Sequence, residues 1–133
     1  MILLDTVVLS ELRKRSPQPE VVGWLRAQRP DELFVSVLTV GEIERGIAKV
    51  ADPVFARSLN RWLDDLLAFY GDRVLPVTPL IARRWGRLSS HLNHDGADLL
   101  IAATALCHGL TVATRNVRHF APTGVSVVNP FAD

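Results

Sequence analysis

The sequence predicts an α/β fold, a three-layer sandwich with helices on both faces of a central, mainly parallel five-stranded sheet. Three observations lead there. Five short apolar runs rich in Val, Leu and Ile are spread along the chain. Segments of helical periodicity separate the first four of them, and a parallel return between strands needs such a crossover, whereas a hairpin does not. The length of 133 residues suits one domain, 1–133, with a single sizeable core.

Each element has a local reason. Met1–Asp5 is an apolar run ending in an acid, read as a buried strand with its last residue at a carboxyl end. A short helix through Leu9–Lys14 follows, closed off by Ser16-Pro17. Val21, Val22, Trp24 and Leu25 make a helical stripe that Arg29-Pro30-Asp31 ends. Leu33–Val37 is the second strand. Val40, Ile43 and Ile47 then share a helical face, with Glu42 off to one side. Asp52-Pro53 reads as an N-cap followed by Pro at the first helical position. The helix it opens runs to about Tyr70, with Leu59, Leu63, Leu66 and Leu67 inward, and Gly71-Asp72 breaks it. Val74–Val77 is a third strand, kept short or at an edge by Pro76. Thr78-Pro79 caps a helix carrying Ile81, Trp85 and Leu88, and His91–Gly96 is a polar loop. Leu99–Leu106 is apolar almost all round, as in a helix buried on most faces, and Gly109 suits its C-terminal turn. Leu110–Thr114 and Val125–Val128 complete the sheet.

Composition excludes several classes. The longest apolar stretches, Leu99–Cys107 and Val74–Ala82, are too short or too interrupted to span a bilayer. The opening residues lack the basic-then-apolar order of a secretory leader. One cysteine forms no internal disulfide, and Cys107 in its apolar run is expected as a small core residue. A cytoplasmic protein is expected. A formal charge of +1 removes bulk electrostatics as a reason to bind nucleic acid. Thirteen of the 15 basic residues are Arg, which suits bidentate contact with phosphate, but GC-rich coding accounts for the bias equally well.

Three acids carry the chemistry. Ligands of parallel α/β sheets bind beyond the carboxyl ends of the strands, where strand order reverses. Asp5 ends the first strand, Glu42 lies in the helix after the second, and Asp98 opens the helix before the fourth. Singly, each has an ordinary reading: Asp5 as an N-cap, Glu42 as a surface residue paired with Arg45, Asp98 as an acid favoured by the helix dipole. Gathered at one rim they would repel one another unless a cation neutralised them. An all-oxygen cluster suits Mg²⁺ or Mn²⁺, ions that activate water against a phosphodiester. His91 and His94 lack a third nitrogen or sulfur ligand at suitable spacing, and His108 suits a helix C-terminus. Trp24, Trp62 and Trp85 fall on helical stripes and are expected in the core or an interface.

Four ordered motifs carry a resemblance. Met1-Ile2-Leu3-Leu4-Asp5-Thr6, with Val8-Leu9-Ser10-Glu11-Leu12, resembles the start of PIN-domain ribonucleases. It is nearest to VapC-type toxins of the FitB-like branch. Ser36–Ile47 resembles their second acidic motif with Glu42 at the acid position, and Ala97–Ala105 the third with Asp98 in the metal-binding place. Thr114-Arg115-Asn116-Val117-Arg118-His119-Phe120 resembles the last motif, and Gly124–Pro130 the usual tail. The resemblance spans essentially the whole chain. It implies a PIN-like sandwich and a Mg²⁺- or Mn²⁺-dependent endoribonuclease acting on RNA. It also implies a homodimer or hetero-oligomer silenced by a VapB-like antitoxin. Asp5 and Asp98 would hold the ion, and Glu42 would complete its shell directly or through water. Thr6, Thr114 and Asn116 would contact substrate or water.

Two positions depart from the pattern. Val7 stands where the family often has Asn. The last motif commonly supplies a fourth acid, whose two candidate positions here are Asn116 and His119. Three carboxylates should hold an ion less tightly than four, so a degenerate PIN-like module that binds RNA or protein without cutting is the alternative. A receiver-like signalling domain is disfavoured, because Asp5 has no acidic neighbour and no Lys follows Lys49. The apolar surfaces around Val21–Leu25 and Leu59–Leu67 suit a dimer interface and a groove for an antitoxin helix.

Overall fold

The structure, a computed structural model, describes residues 1–132. The strands are β1 (Ile2–Leu4), β2 (Leu33–Ser36), β3 (Val74–Leu75), β4 (Thr111–Ala113) and β5 (Val127–Val128). The helices are α1 (Thr6–Leu12), α2 (Pro19–Arg26), α3 (Val37–Ala48), α4 (Pro53–Tyr70), α5 (Pro79–Leu92), α6 (Ala97–His108) and α7 (Val117–Phe120). The sheet order is β3-β2-β1-β4-β5, and every pairing is parallel.

The expected α/β sandwich is present, with its two faces filled by alternate strand residues. Leu4, Leu33, Val35 and Ala113 pack under α1, α2 and α4 through Val8, Leu9, Val21, Leu66 and Tyr70. Their neighbours Leu3 and Val112 point the other way, onto Ile101, Ala102 and Ala105 of α6 and Phe120 of α7. A period of two along each strand therefore feeds two separate cores. A third apolar cluster, Ile43, Ile47, Leu59 and Leu63, welds α3 to α4. From β1 the chain winds outward to β2 and β3, then returns to place β4 on the other side of β1. The strand order reverses between β1 and β4, and the crevice at a parallel sheet's carboxyl rim opens there.

Several boundaries differ from the sequence expectation, and caps explain most of them. The first helix begins at Thr6, not Leu9, because Asp5 accepts the Thr6 amide and turns strand into helix within one residue. The second strand stops at Ser36, whose hydroxyl accepts the Leu38 amide and starts α3. The third strand ends at Leu75, before Pro76. Strands β4 and β5 are shorter than Leu110–Thr114 and Val125–Val128. Helix α5 continues through His91 and Leu92 and ends at Asn93, whose φ of 61° is the left-handed conformation that Asn tolerates. Gly109, at φ 66°, ends α6 as expected. The four-residue α7 carried no periodic signal. Cys107 is half-buried, not a core residue, because α6 turns that face outward near its end.

Candidate active site

Asp5 leaves β1 at the point where strand order reverses, and its backbone amide donates to the Ala113 carbonyl of β4 at 2.9 Å. That register sets the Thr114 side chain beside it. One carboxylate oxygen, Oδ1, accepts the Thr6 amide at 2.9 Å, and the other, Oδ2, accepts the Thr114 hydroxyl at 2.7 Å. Thr114 in turn accepts the Asn116 amide at 2.9 Å. Asp5 is only 4% exposed and Thr114 fully buried. Asp5 is thus both a helix cap and the centre of the rim.

Thr6 ties the second acid to the first. Its hydroxyl lies 2.6 Å from Glu42 Oε1 and 3.0 Å from the hydroxyl of buried Thr39. A hydroxyl has one proton, which goes to the carboxylate, leaving Thr6 to accept from Thr39. Thr39 precedes Glu42 by three residues and so shares its helix face; that spacing was the available signal for Thr39, which sequence reasoning missed. The Glu42–Arg45 pair of the ordinary reading does not form among the described residues; Glu42 bonds Thr6 instead.

Asp98 sits in the first turn of α6 and is met by His119 of α7, with Nδ1 3.0 Å from Oδ2. The imidazole is 65% exposed, so water screens this pair. His119, one of the two candidate positions for a fourth acid, instead supplies a donor to the third. Asn116 is exposed at the same rim. The rim thus brings together Asp5, Thr6, Glu42, Thr114 and Asn116 through direct bonds, with Asp98 joined through charge. Burial pushes the Asp5 carboxyl above its usual range; the Thr114 and Thr6 hydrogen bonds pull it back, and the charges of Asp98 and Glu42 raise it further.

That excess of negative charge is what a cation relieves, and the donors are all oxygens, so the residues fit a hard divalent ion. Among the described residues no three His, Cys, Asp or Glu side chains are so placed that they hold a metal as they stand. Glu42 bonds Thr6, and Asp98 pairs with His119. Mg²⁺ needs no closed cage, since it is commonly bound through one or two carboxylates while keeping several waters.

Sequence and structure comparisons give the family. The PIN domain family matches residues 2–124. The chain belongs to the PIN-domain family. Among its PIN relatives is the VapC ribonuclease Y4jK of Sinorhizobium fredii, 37% identical over 139 aligned positions, covering 98% of each chain. Another is the toxin FitB of Neisseria gonorrhoeae, 35% identical over 139 positions and 100% of both chains. The crystal structure of FitAcB from Neisseria gonorrhoeae superposes with a TM-score of 0.91 at 33% identity, again over 100% of both chains. No helix of the described residues is long and apolar enough to cross a membrane.

Proposed function

We propose that this chain, as a single PIN-like domain over residues 1–133, is a divalent-metal-dependent endoribonuclease of the cytoplasm. We propose further that it is the toxin of a VapBC-type toxin–antitoxin pair. It then acts as a homodimer or a hetero-oligomer silenced by a VapB-like antitoxin. The observation that carries the reading is the buried Asp5 carboxylate, clamped by Thr6 and Thr114 and pushed up first by burial and then by two further acids at the same rim. Its similarity to a VapC ribonuclease and to toxin FitB supports the same activity.

Asp5 and Asp98 would hold Mg²⁺, or Mn²⁺ in its place, with Glu42 joining directly or through water. Such an ion activates water and stabilises charge building on the phosphate oxygens. The protein's own part is orientation. The Thr6 amide and the Thr114 hydroxyl donate to the Asp5 carboxylate and fix its plane, and the Thr6 hydroxyl donates to Glu42. Glu42 Oε2, outside the Thr6 bond, would be left to meet the ion or a water bound to it. The Asn116 amide, exposed at the mouth, offers both donor and acceptor to substrate or water.

The test is RNA cleavage by the purified chain, expected with Mg²⁺ or Mn²⁺, abolished by chelator and restored by the ion. Cleavage undiminished in excess EDTA overturns the mechanism. Binding of RNA without cleavage in either ion selects the non-cutting module instead, which the missing fourth acid at Asn116 and His119 favours.

A further inference from the structure

RNA carries one negative charge per nucleotide, and the proposed site presents it with three carboxylates. The chain's formal charge of +1 gives no general attraction to offset that repulsion. Local cations beside the acids must hold the strand, and the surface next to the rim supplies two.

On the Glu42 flank, a cavity of about 120 Å³ between α1 and α3 is lined by Thr6, Ser10, Arg13, Glu42 and Ile47. On the Asp98 flank, two adjoining hollows of about 370 and 380 Å³ share Arg118 and His119. One of them reaches Asp98, and the other reaches Asn116. Arg13 therefore shares a depression with one acid, and Arg118 with another. Both side chains are exposed, and among the described residues neither has a hydrogen bond, ion pair or ring contact. Three other arginines are engaged in the fold, and what sets Arg13 and Arg118 apart from the rest is the hollow each shares with an acid. Arg73 donates to the carbonyls of Leu33 and Phe69, Arg29 pairs with Asp31, and Arg115 lies over the Phe131 ring. The acids lie between the two flanks, since Thr6 joins Glu42 to Asp5, and Asp98 acts on Asp5 from the α6 side.

We infer that a single RNA strand crosses the rim with its flanking phosphates held by Arg13 on one side and Arg118 on the other. The guanidinium fork matches phosphate bidentately, and an arginine with no protein partner loses no existing bond in turning to it. This deepens the ribonuclease reading and rests on it.

Labelled single-stranded RNA, titrated in EDTA across a salt series, tests the inference. Arg13→Ala and Arg118→Ala are each expected to flatten the dependence of log Kd on log salt by about 0.7, the loss of one phosphate contact on a single strand, and the double variant by about 1.4. Arg118→Lys should keep the slope. Arg83→Ala, an exposed arginine of α5 that lines none of these three hollows, should match wild type. The salt dependence of kcat/KM in Mg²⁺ should change in parallel. If wild type binds and cuts RNA while both alanine variants keep its slope and affinity, the two-arginine path is wrong and the ribonuclease reading stands. If wild type neither binds nor cuts, the ribonuclease reading falls and the path with it.

Discussion

Both oxygens of the Asp5 carboxylate are engaged before any ion arrives, one by the first amide of its own helix and one by a hydroxyl from β4. Those bonds fix its geometry yet do not cancel the cost of ionising it under burial and beside two acids. The sign follows from the raised value: the contribution of Asp5 to stability is fully present below the ordinary 3.8 and is lost as pH rises through the higher folded value. In EDTA at neutral pH, Asp5→Asn is therefore expected to melt above wild type, an advantage that vanishes as pH approaches 3.8. Thermal melts of both proteins across pH check this, and an Asn variant that melts lower throughout contradicts it. The same substitution, like Asp98→Asn, should cut RNA cleavage by roughly a hundredfold or more, the scale of losing charge stabilisation at a reacting phosphate. Native-rate cleavage by either variant would falsify the assignment of the ion's ligands.

Helix α1 shows how an element is locked by a residue whose structural role its motif did not reveal. Glu11 is buried near its end, where its carboxylate accepts Lys14 at 2.9 Å and the Gln18 amide at 2.9 Å. It thereby closes the turn between α1 and α2. The Lys14 bond, then the Gln18 bond, hold its carboxyl below the usual range. A lowered value means stabilisation present above the ordinary 4.5 and lost as pH falls through the folded value. Glu11→Gln should consequently destabilise the protein at pH 7, and the gap to wild type should close in acid. Urea melts at both pH values decide it; a gap independent of pH assigns Glu11 to packing alone. The position was motif-marked as part of Val8-Leu9-Ser10-Glu11-Leu12, but its burial depends on where the following loop returns.

Across the whole molecule, one face is finished with apolar groups it does not use. Leu9, Leu12, Trp62, Leu66 and Phe69 line a hollow of about 280 Å³ between α1 and α4, with Phe69 57% and Leu12 38% exposed. The apolar surface expected around Leu59–Leu67 thus divides: Leu59, Leu63 and Leu66 are buried, while the neighbouring turn faces solvent. An amphipathic antitoxin helix fits such a groove by its apolar face. Leu12→Gln and Phe69→Gln together are expected to weaken capture of the neighbouring gene's product at least about tenfold, since aromatic anchors dominate such contacts. Metal-dependent RNA cleavage should be unchanged. Pull-down and titration with that product measure it, and undiminished capture would place the partner elsewhere.

The sequence by itself determined which segments, apart from the four-residue α7, are strands and helices, where most of them turn, and which three acids stand as candidates for the site. Those signals are local: apolar period, Asp52-Pro53 and Thr78-Pro79 at helix starts, Gly109 at a helix end, and an acid at the end of an apolar run. Only the tertiary structure decided how the acids are held. Thr114 reaches Asp5 across 109 positions of chain and Thr6 reaches Glu42 across 36. Both contacts follow from β4 and β2 lying on either side of β1. His119 on Asp98, and Arg13 and Arg118 each in a hollow with an acid, arise in the same way. Strand order and register are fixed by packing two cores at once, and no local pattern of side chains encodes which distant partner a rim residue will meet.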